Sequence, residues 1–254
     1  MGCVCGTGNK IMTLGPVTVP DIKPHRSPFS SSAMTAQPSA QEVETASVAL
    51  YSTEGFGPSE SIRFLLKYLN IDFEDRRINA QELAHSKQRA EFGDFPMLVI
   101  DDRKLVQVKA ILRYVAQKHG LYPNVKDLDF IYWIESLCDL VEEMRNALLE
   151  DGLRGNKQLL AERYAQVSVR LVCLEGRLVR NKGGKGWYIG SQVSLADVVV
   201  VQFLWDFYLR PGLKETHENQ VPEKLRNFVR LFLSLYCHVS CYLATRPHSD
   251  LYAY

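Results

Sequence analysis

The sequence predicts an α+β chain, a small mixed domain followed by an all-helical one. Three observations carry that expectation. Phe92-Gly93-Asp94-Phe95-Pro96-Met97-Leu98, followed by Leu105-Val106-Gln107-Val108-Lys109-Ala110-Ile111, reads as loop, apolar strand (Met97 to Ile100), tight turn at Asp101-Asp102, short strand and helix. Upstream, a strand candidate, a helix and a second strand follow one another. Beyond residue 121, segments such as Tyr132 to Asp139 and Phe228 to Leu243 read as helix.

In chain order, residues 1–46 carry Pro16, Pro20, Pro24, Pro28, Pro38 and Ser30-Ser31-Ser32, with no apolar periodicity to bury, and read as a disordered tail. Ser47 to Thr53 is a strand, Glu60 to Leu69 an amphipathic helix with Ser59 as its N-cap, and Ile71 to Ile78 the second strand. A proline before a core strand removes a ladder donor. A cis Phe95–Pro96 bond explains it economically, turning the backbone groups of Phe95 outward toward a ligand. Val108, Ile111, Leu112 and Val115 then share one helical face, and His119-Gly120 closes that helix. Further on, Ser194 caps a helix, and Asp197 three residues later can reach back to the cap's N–H.

Composition excludes more than it identifies. Thirty basic against 29 acidic residues give no electrostatic case for nucleic acid. No apolar run reaches the roughly 18 residues of a spanning helix, and Phe228 to Leu243, broken by Arg230 and His238, reads as a core helix. Cys3 and Cys5 lie in the tail; Cys138, Cys173, Cys237 and Cys241 read as buried reduced thiols without zinc spacing.

Together these segments resemble the cytosolic glutathione transferases, closest to the alpha and sigma classes, over roughly residues 47–247. The resemblance rests on the Phe95–Pro96 loop with Gln107, on Gly186-Trp187-Tyr188-Ile189-Gly190 before Ser194-Leu195-Ala196-Asp197, and on Cys241 to Pro247 as the end of a last helix. It implies a thioredoxin-like β-α-β-α-β-β-α domain over residues 47–121 and an all-helical domain over 122–254. It also implies glutathione as substrate or cosubstrate, no metal, and a cytoplasmic homodimer. Such an enzyme conjugates glutathione to small hydrophobic electrophiles in detoxification, or reduces peroxides.

The site residues carry over unevenly. These enzymes ionise a thiol whose free pKa is about 8.5 by giving its sulfur a hydroxyl donor. Eleven residues before the arginine of the first helix, Arg63, the alpha-like position holds Ser52 rather than tyrosine, with Tyr51 one step off. The serine-type position, four before Arg63, is Ser59. The resemblance assigns Gln107, the Phe95-Pro96 backbone, Lys87 and, across a dimer, Asp139 to the tripeptide. Val108 stands where Ser or Thr is expected, so a hydroxyl contact to the γ-glutamyl carboxylate is lost. Phe56 and Pro58 replace arginines near the sulfur. Phe92 matches the aromatic knob inserted into a partner subunit. Tyr132, Trp133, Met144, Tyr252 and Tyr254 fall in the region that sets the acceptor. Two rival readings stay open: a binding or scaffold protein with an eroded glutathione site, and a glutathione-dependent isomerase.

Met1-Gly2-Cys3-Val4-Cys5 resembles the start of proteins that carry myristate on Gly2 and palmitate on nearby cysteines. Gly6 departs from that motif, which calls for Ser or Thr. An acylated anchor holding the protein at a membrane face and a plain tail are the two readings.

Overall fold

The computed structural model describes residues 47–53, 57–79, 82, 90–123, 127–153 and 157–247. β1 (Val48–Thr53) alternates as a half-buried strand should, with Leu50 and Ser52 buried and Ala49 and Tyr51 less so. It pairs in parallel with β2 (Glu74–Ile78) and antiparallel with β3 (Met97–Ile100). β4 (Arg103–Val106) completes a sheet of order β2-β1-β3-β4. A parallel pair needs a crossover, and α1 (Ser59–Tyr68) supplies it, burying Ile62, Phe64, Leu65 and Leu66. β3 and β4 turn on Asp101-Asp102, where Asp101 takes a left-handed φ of 53° that its short side chain tolerates.

Two boundaries differ from expectation. The second strand starts at Glu74 rather than Ile71, because the Ile71 N–H closes α1 on the Leu66 carbonyl (2.9 Å) past a left-handed Asn70. Ser59 is not the N-cap: Pro58 occupies that place and Ser59 is the first helical residue. The expected second helix of the mixed domain falls on residues 80–89, of which only Glu82 is described. The Phe95–Pro96 peptide is cis, as expected.

α2 (Val108–Lys118) packs on α1 and β4 and closes the mixed half, and the helical half then comprises α3 (Leu128–Leu153), α4 (Lys157–Arg180) and α5 (Leu195–Leu204). A π-turn (Trp205–Leu209), α6 (Lys214–His217), α7 (Glu223–Leu235) and α8 (Cys237–Thr245) follow. All ten residues of α5 are buried, and α1, α2, α3 and α7 pack on it. Its first turn carries the capping box. The Ser194 N–H and hydroxyl donate to Asp197 at 2.8 and 2.7 Å, and the Tyr188 N–H at 2.7 Å. Burial pushes the Asp197 carboxyl up to about 6, against the pull of those donors.

The segment Phe228 to Leu243 is not one core helix but two, bent by 101° at Tyr236. The non-helical Tyr236 sets its ring 4.8 Å from both Tyr68 and Phe232, so aromatic packing replaces the helical bonds lost at the bend. Among the described residues no single helix is long and apolar enough to cross a membrane. The cysteines also differ from expectation: Cys138 is largely covered, while Cys173, Cys237 and Cys241 are exposed.

Candidate functional site

One cleft of about 340 Å³ is lined by Pro58, Asp94, Phe95, Pro96, Gln107, Val108, Lys109 and Glu142. That volume lies in the range of small-molecule sites, roughly 300–1,000 Å³. Its walls come from the α1 N-cap, the loop into β3, the β4–α2 junction and α3. Gln107 is strained there, with φ 69° and ψ 110°. Such a backbone costs on the order of 1–3 kcal/mol and collects at ligand clamps. No side chain caps α2, so its first N–H groups face the cleft end of the helix without intrahelical partners, a setting that favours an anion.

Charge at the cleft is mixed. Lys109 Nζ lies 2.7 Å from Asp139 on α3, both near half exposure. Glu142, one helical turn along α3 from Asp139, accepts from Arg145 Nη1 at 2.7 Å, and Arg145 Nη2 reaches Gln202 Oε1 at 2.6 Å. The carboxylate on the cleft wall is thereby anchored to the core helix.

The candidate hydroxyls sit behind the cleft wall. Ser52 and Ser59 are 1% and 3% exposed, and both accept from Arg63, Ser59 at 3.3 Å. The Ser52 hydroxyl donates to its neighbour's carbonyl at 3.2 Å. Ser59 adjoins the cleft-lining Pro58. Tyr51 lies on the opposite face of β1, accepting from Arg76 at 2.5 Å and packing with Phe95 against Met97 and Val106. The period of two along the strand separates Tyr51 from Ser52 as expected.

Beneath this region runs a buried ionic chain. Arg63 Nε holds Asp75 at 3.0 Å and its Nη1 meets Glu60 at 3.3 Å. Glu60 accepts from Tyr242 at 2.7 Å and from Arg246 at 2.6 Å. Arg246 also grips Asp206, which accepts from Gln202, and Ser61 donates to Gln202 at 3.0 Å. Burial pushes the Asp206 carboxyl up against the pull of Arg246. Burial likewise opposes the Arg246 charge, but Asp206 and Glu60 outweigh it and raise its pKa.

Of the residues assigned from sequence, the cleft brings together Phe95, Pro96, Gln107 and Val108. Asp139 reaches it only through Lys109. Phe92 stands 61% exposed. Lys87, Phe56, Gly2, Cys3, Cys5, Tyr252 and Tyr254 lie outside the described residues. Met144 is fully buried in the core, Tyr132 is exposed, and Arg177 stacks over Trp133 at 3.4 Å. Sequence reading missed Asp94, Lys109 and Glu142 as wall residues. The signal for Lys109 was its place two residues after Gln107, and for Glu142 its spacing of three from Asp139.

Comparison with known proteins agrees with this two-part fold. Residues 46–117 match the glutathione S-transferase N-terminal domain and residues 130–234 the C-terminal domain. The chain is 31% identical to S-crystallin SL11 of Nototodarus sloanii over 158 residues, 60% of this chain and 76% of that protein. It is 30% identical to glutathione S-transferase A4 of Homo sapiens over 160 residues, 60% and 70% of the respective chains. The structure of the Pi-class glutathione S-transferase of Onchocerca volvulus superposes with a TM-score of 0.67, at 23% identity, over 79% of this chain and 93% of that one, a likeness of fold. A thioredoxin-like domain joined to an all-helical one, both halves matched in sequence and relatives covered over most of their length, places the chain in the glutathione S-transferase family.

Proposed function

We propose that this protein is a glutathione transferase that holds glutathione in the cleft, stabilises its thiolate, and conjugates it to small electrophiles or reduces peroxides with it. The observation that carries the reading is the gathering of Phe95, Pro96, Gln107 and Val108 around one cavity at an uncapped helix start. In the proposed pose the Phe95 backbone pairs with the extended tripeptide, and the α2 N–H groups with Gln107 take the γ-glutamyl carboxylate. Lys87 takes the glycine end. Ser59 is the proposed thiolate donor: its hydroxyl accepts from Arg63, which leaves its own proton to give, whereas Ser52 spends its proton on Thr53. Holding the electrophile beside the sulfur then turns a bimolecular attack into a local one. In a homodimer, exposed Phe92 would enter the partner subunit and Asp139 would reach across to the neighbouring ligand. The protein would work in the cytoplasm, with acylation of Gly2, Cys3 and Cys5 tethering it to a membrane face.

A scaffold or carrier with an eroded site is the second reading. It is favoured by one feature: among the described residues, no hydroxyl side chain lines the cleft. Calorimetry with glutathione, coupled to turnover of a generic aryl halide, separates the two. Binding with turnover supports the transferase; binding alone supports the scaffold; no binding removes both the glutathione site and the transferase.

A further inference from the structure

Away from the cleft, Cys237 and Cys241 stand at the first and fifth positions of α8, both exposed and both free thiols. Positions four apart on a helix share a face, with Cβ atoms roughly 5–6 Å apart. Rotation about each Cα–Cβ bond can bring the two sulfurs close enough to share one atom. The helix cannot roll to hide them. Val239 and Leu243 bury its other side, His238 Nε2 lies 3.2 Å from the Tyr68 carbonyl oxygen, and Tyr242 and Arg246 hold Glu60.

No group of three or more metal-ligating side chains occurs among the described residues, so a four-coordinate ion such as zinc is not served. Two sulfurs do suit an element that binds with two. We propose that Cys237 and Cys241 form a dithiol site that chelates monosubstituted trivalent arsenicals. In the step R–As(OH)₂ + 2 R′SH → R–As(SR′)₂ + 2 H₂O, two As–O bonds break and two As–S bonds form. The thiol protons leave with the hydroxyls as water, and arsenic stays trivalent, so no oxidant or reductant is involved. Closing the second bond within one helix face has a high effective concentration, which raises affinity about 10²–10⁴-fold over a single thiol. The site depends on α8 alone and not on the chemistry of the cleft.

The test uses the full chain with Cys3→Ser and Cys5→Ser, which removes the tail's own thiol pair, and phenylarsine oxide as probe. Binding should consume two thiols per arsenic, reverse with 2,3-dimercaptopropanol and resist excess 2-mercaptoethanol. Cys237→Ser or Cys241→Ser should each weaken it at least about 100-fold. Cys173→Ser, at an exposed single thiol on α4, should leave it unchanged. Cys241→Ser combined with Ala244→Cys keeps the thiol count but moves the pair to positions seven apart, and should also lose chelation. Because Ala244 is exposed, the moved thiol stays accessible, so this variant separates the spacing of the pair from the number of thiols, and Cys237→Ser tests the pair without touching Cys241. Tight binding that survives in Cys241→Ser or in the displaced pair overturns the proposal.

Discussion

Replacing Arg246 by methionine isolates the buried ionic chain from the cleft chemistry. Its side chain is 1% exposed, and the two carboxylates it holds, Glu60 and Asp206, are 3% and 6% exposed. Breaking such a pair by removing one partner costs about 3–5 kcal/mol, because the other charge stays buried without its counterion. For a domain of this size that corresponds to a fall in Tm of roughly 6–20 °C. The cost has a pH signature. Burial already holds the Asp206 carboxyl above its ordinary value, and losing Arg246 removes the main pull downward. A raised folded pKa means stability that is intact below the unfolded pKa and lost as pH rises through the folded one. Urea denaturation should therefore show a larger loss at pH 8 than at pH 5. Adding Glu60→Gln and Asp206→Asn to Arg246→Met should restore most of it, since neutral amides carry a smaller desolvation penalty. A loss below about 1 kcal/mol at pH 8, or equal losses at both pH values, would refute the claim that these three groups form one buried unit.

Four further outcomes are expected. Val108→Thr should tighten glutathione binding about tenfold by calorimetry, the size of one charge-assisted hydrogen bond; unchanged affinity would mean the side chain does not meet the ligand. Ser59→Ala should lower aryl-halide turnover more than tenfold and raise the kinetic pKa of bound thiol, while Ser52→Ala leaves turnover nearly intact; the reverse ranking moves the donor to Ser52. Asp197 carries a carboxyl raised to about 6, so its contribution is present below about 4 and lost as pH rises through 6, a change of about 3 kcal/mol. Asp197→Asn, though less stable throughout, should lack that slope in denaturation midpoints between pH 4 and 7, and a variant with the same slope would assign it to another group. For the tail, a full-length reporter should sit on membranes and be released by Gly2→Ala, with Cys3→Ser/Cys5→Ser giving partial release; a wholly soluble wild-type reporter means the tail is not acylated.

Local signals told most of the fold. The apolar run Met97 to Ile100, the Asp101-Asp102 turn and the periodic face of α2 each depend on neighbours within a few residues, and so does the Ser194–Asp197 box. Four cleft residues were legible because they sit on one short stretch, from Phe95 to Val108. What stayed hidden depends on distant partners. Glu60 and Arg246 are 186 positions apart and Ser61 and Gln202 are 141 apart, so periodicity gave no reason to expect a buried charge on either side. The bend at Tyr236 has no Gly or Pro to announce it, because its cause is the aromatic surface of Tyr68, Phe232 and Trp187. Ser59 looked like a cap by residue type, but Pro58, with φ preset near its helical value, takes the cap position instead.

The turn at Tyr236 makes chain length after it a matter of register. α8 delivers Tyr242 and Arg246 to Glu60 from one side only. Inserting one residue between Cys237 and Tyr242 would rotate everything beyond it by about 100° and advance it about 1.5 Å. Both donors would swing away from α1 together, leaving Glu60 with Arg63 as its remaining counterion. A break in the chain after Pro247 would spare every one of these bonds, while a break before Tyr242 would remove them all. Two truncations only a few residues apart should thus fall on opposite sides of a stability threshold.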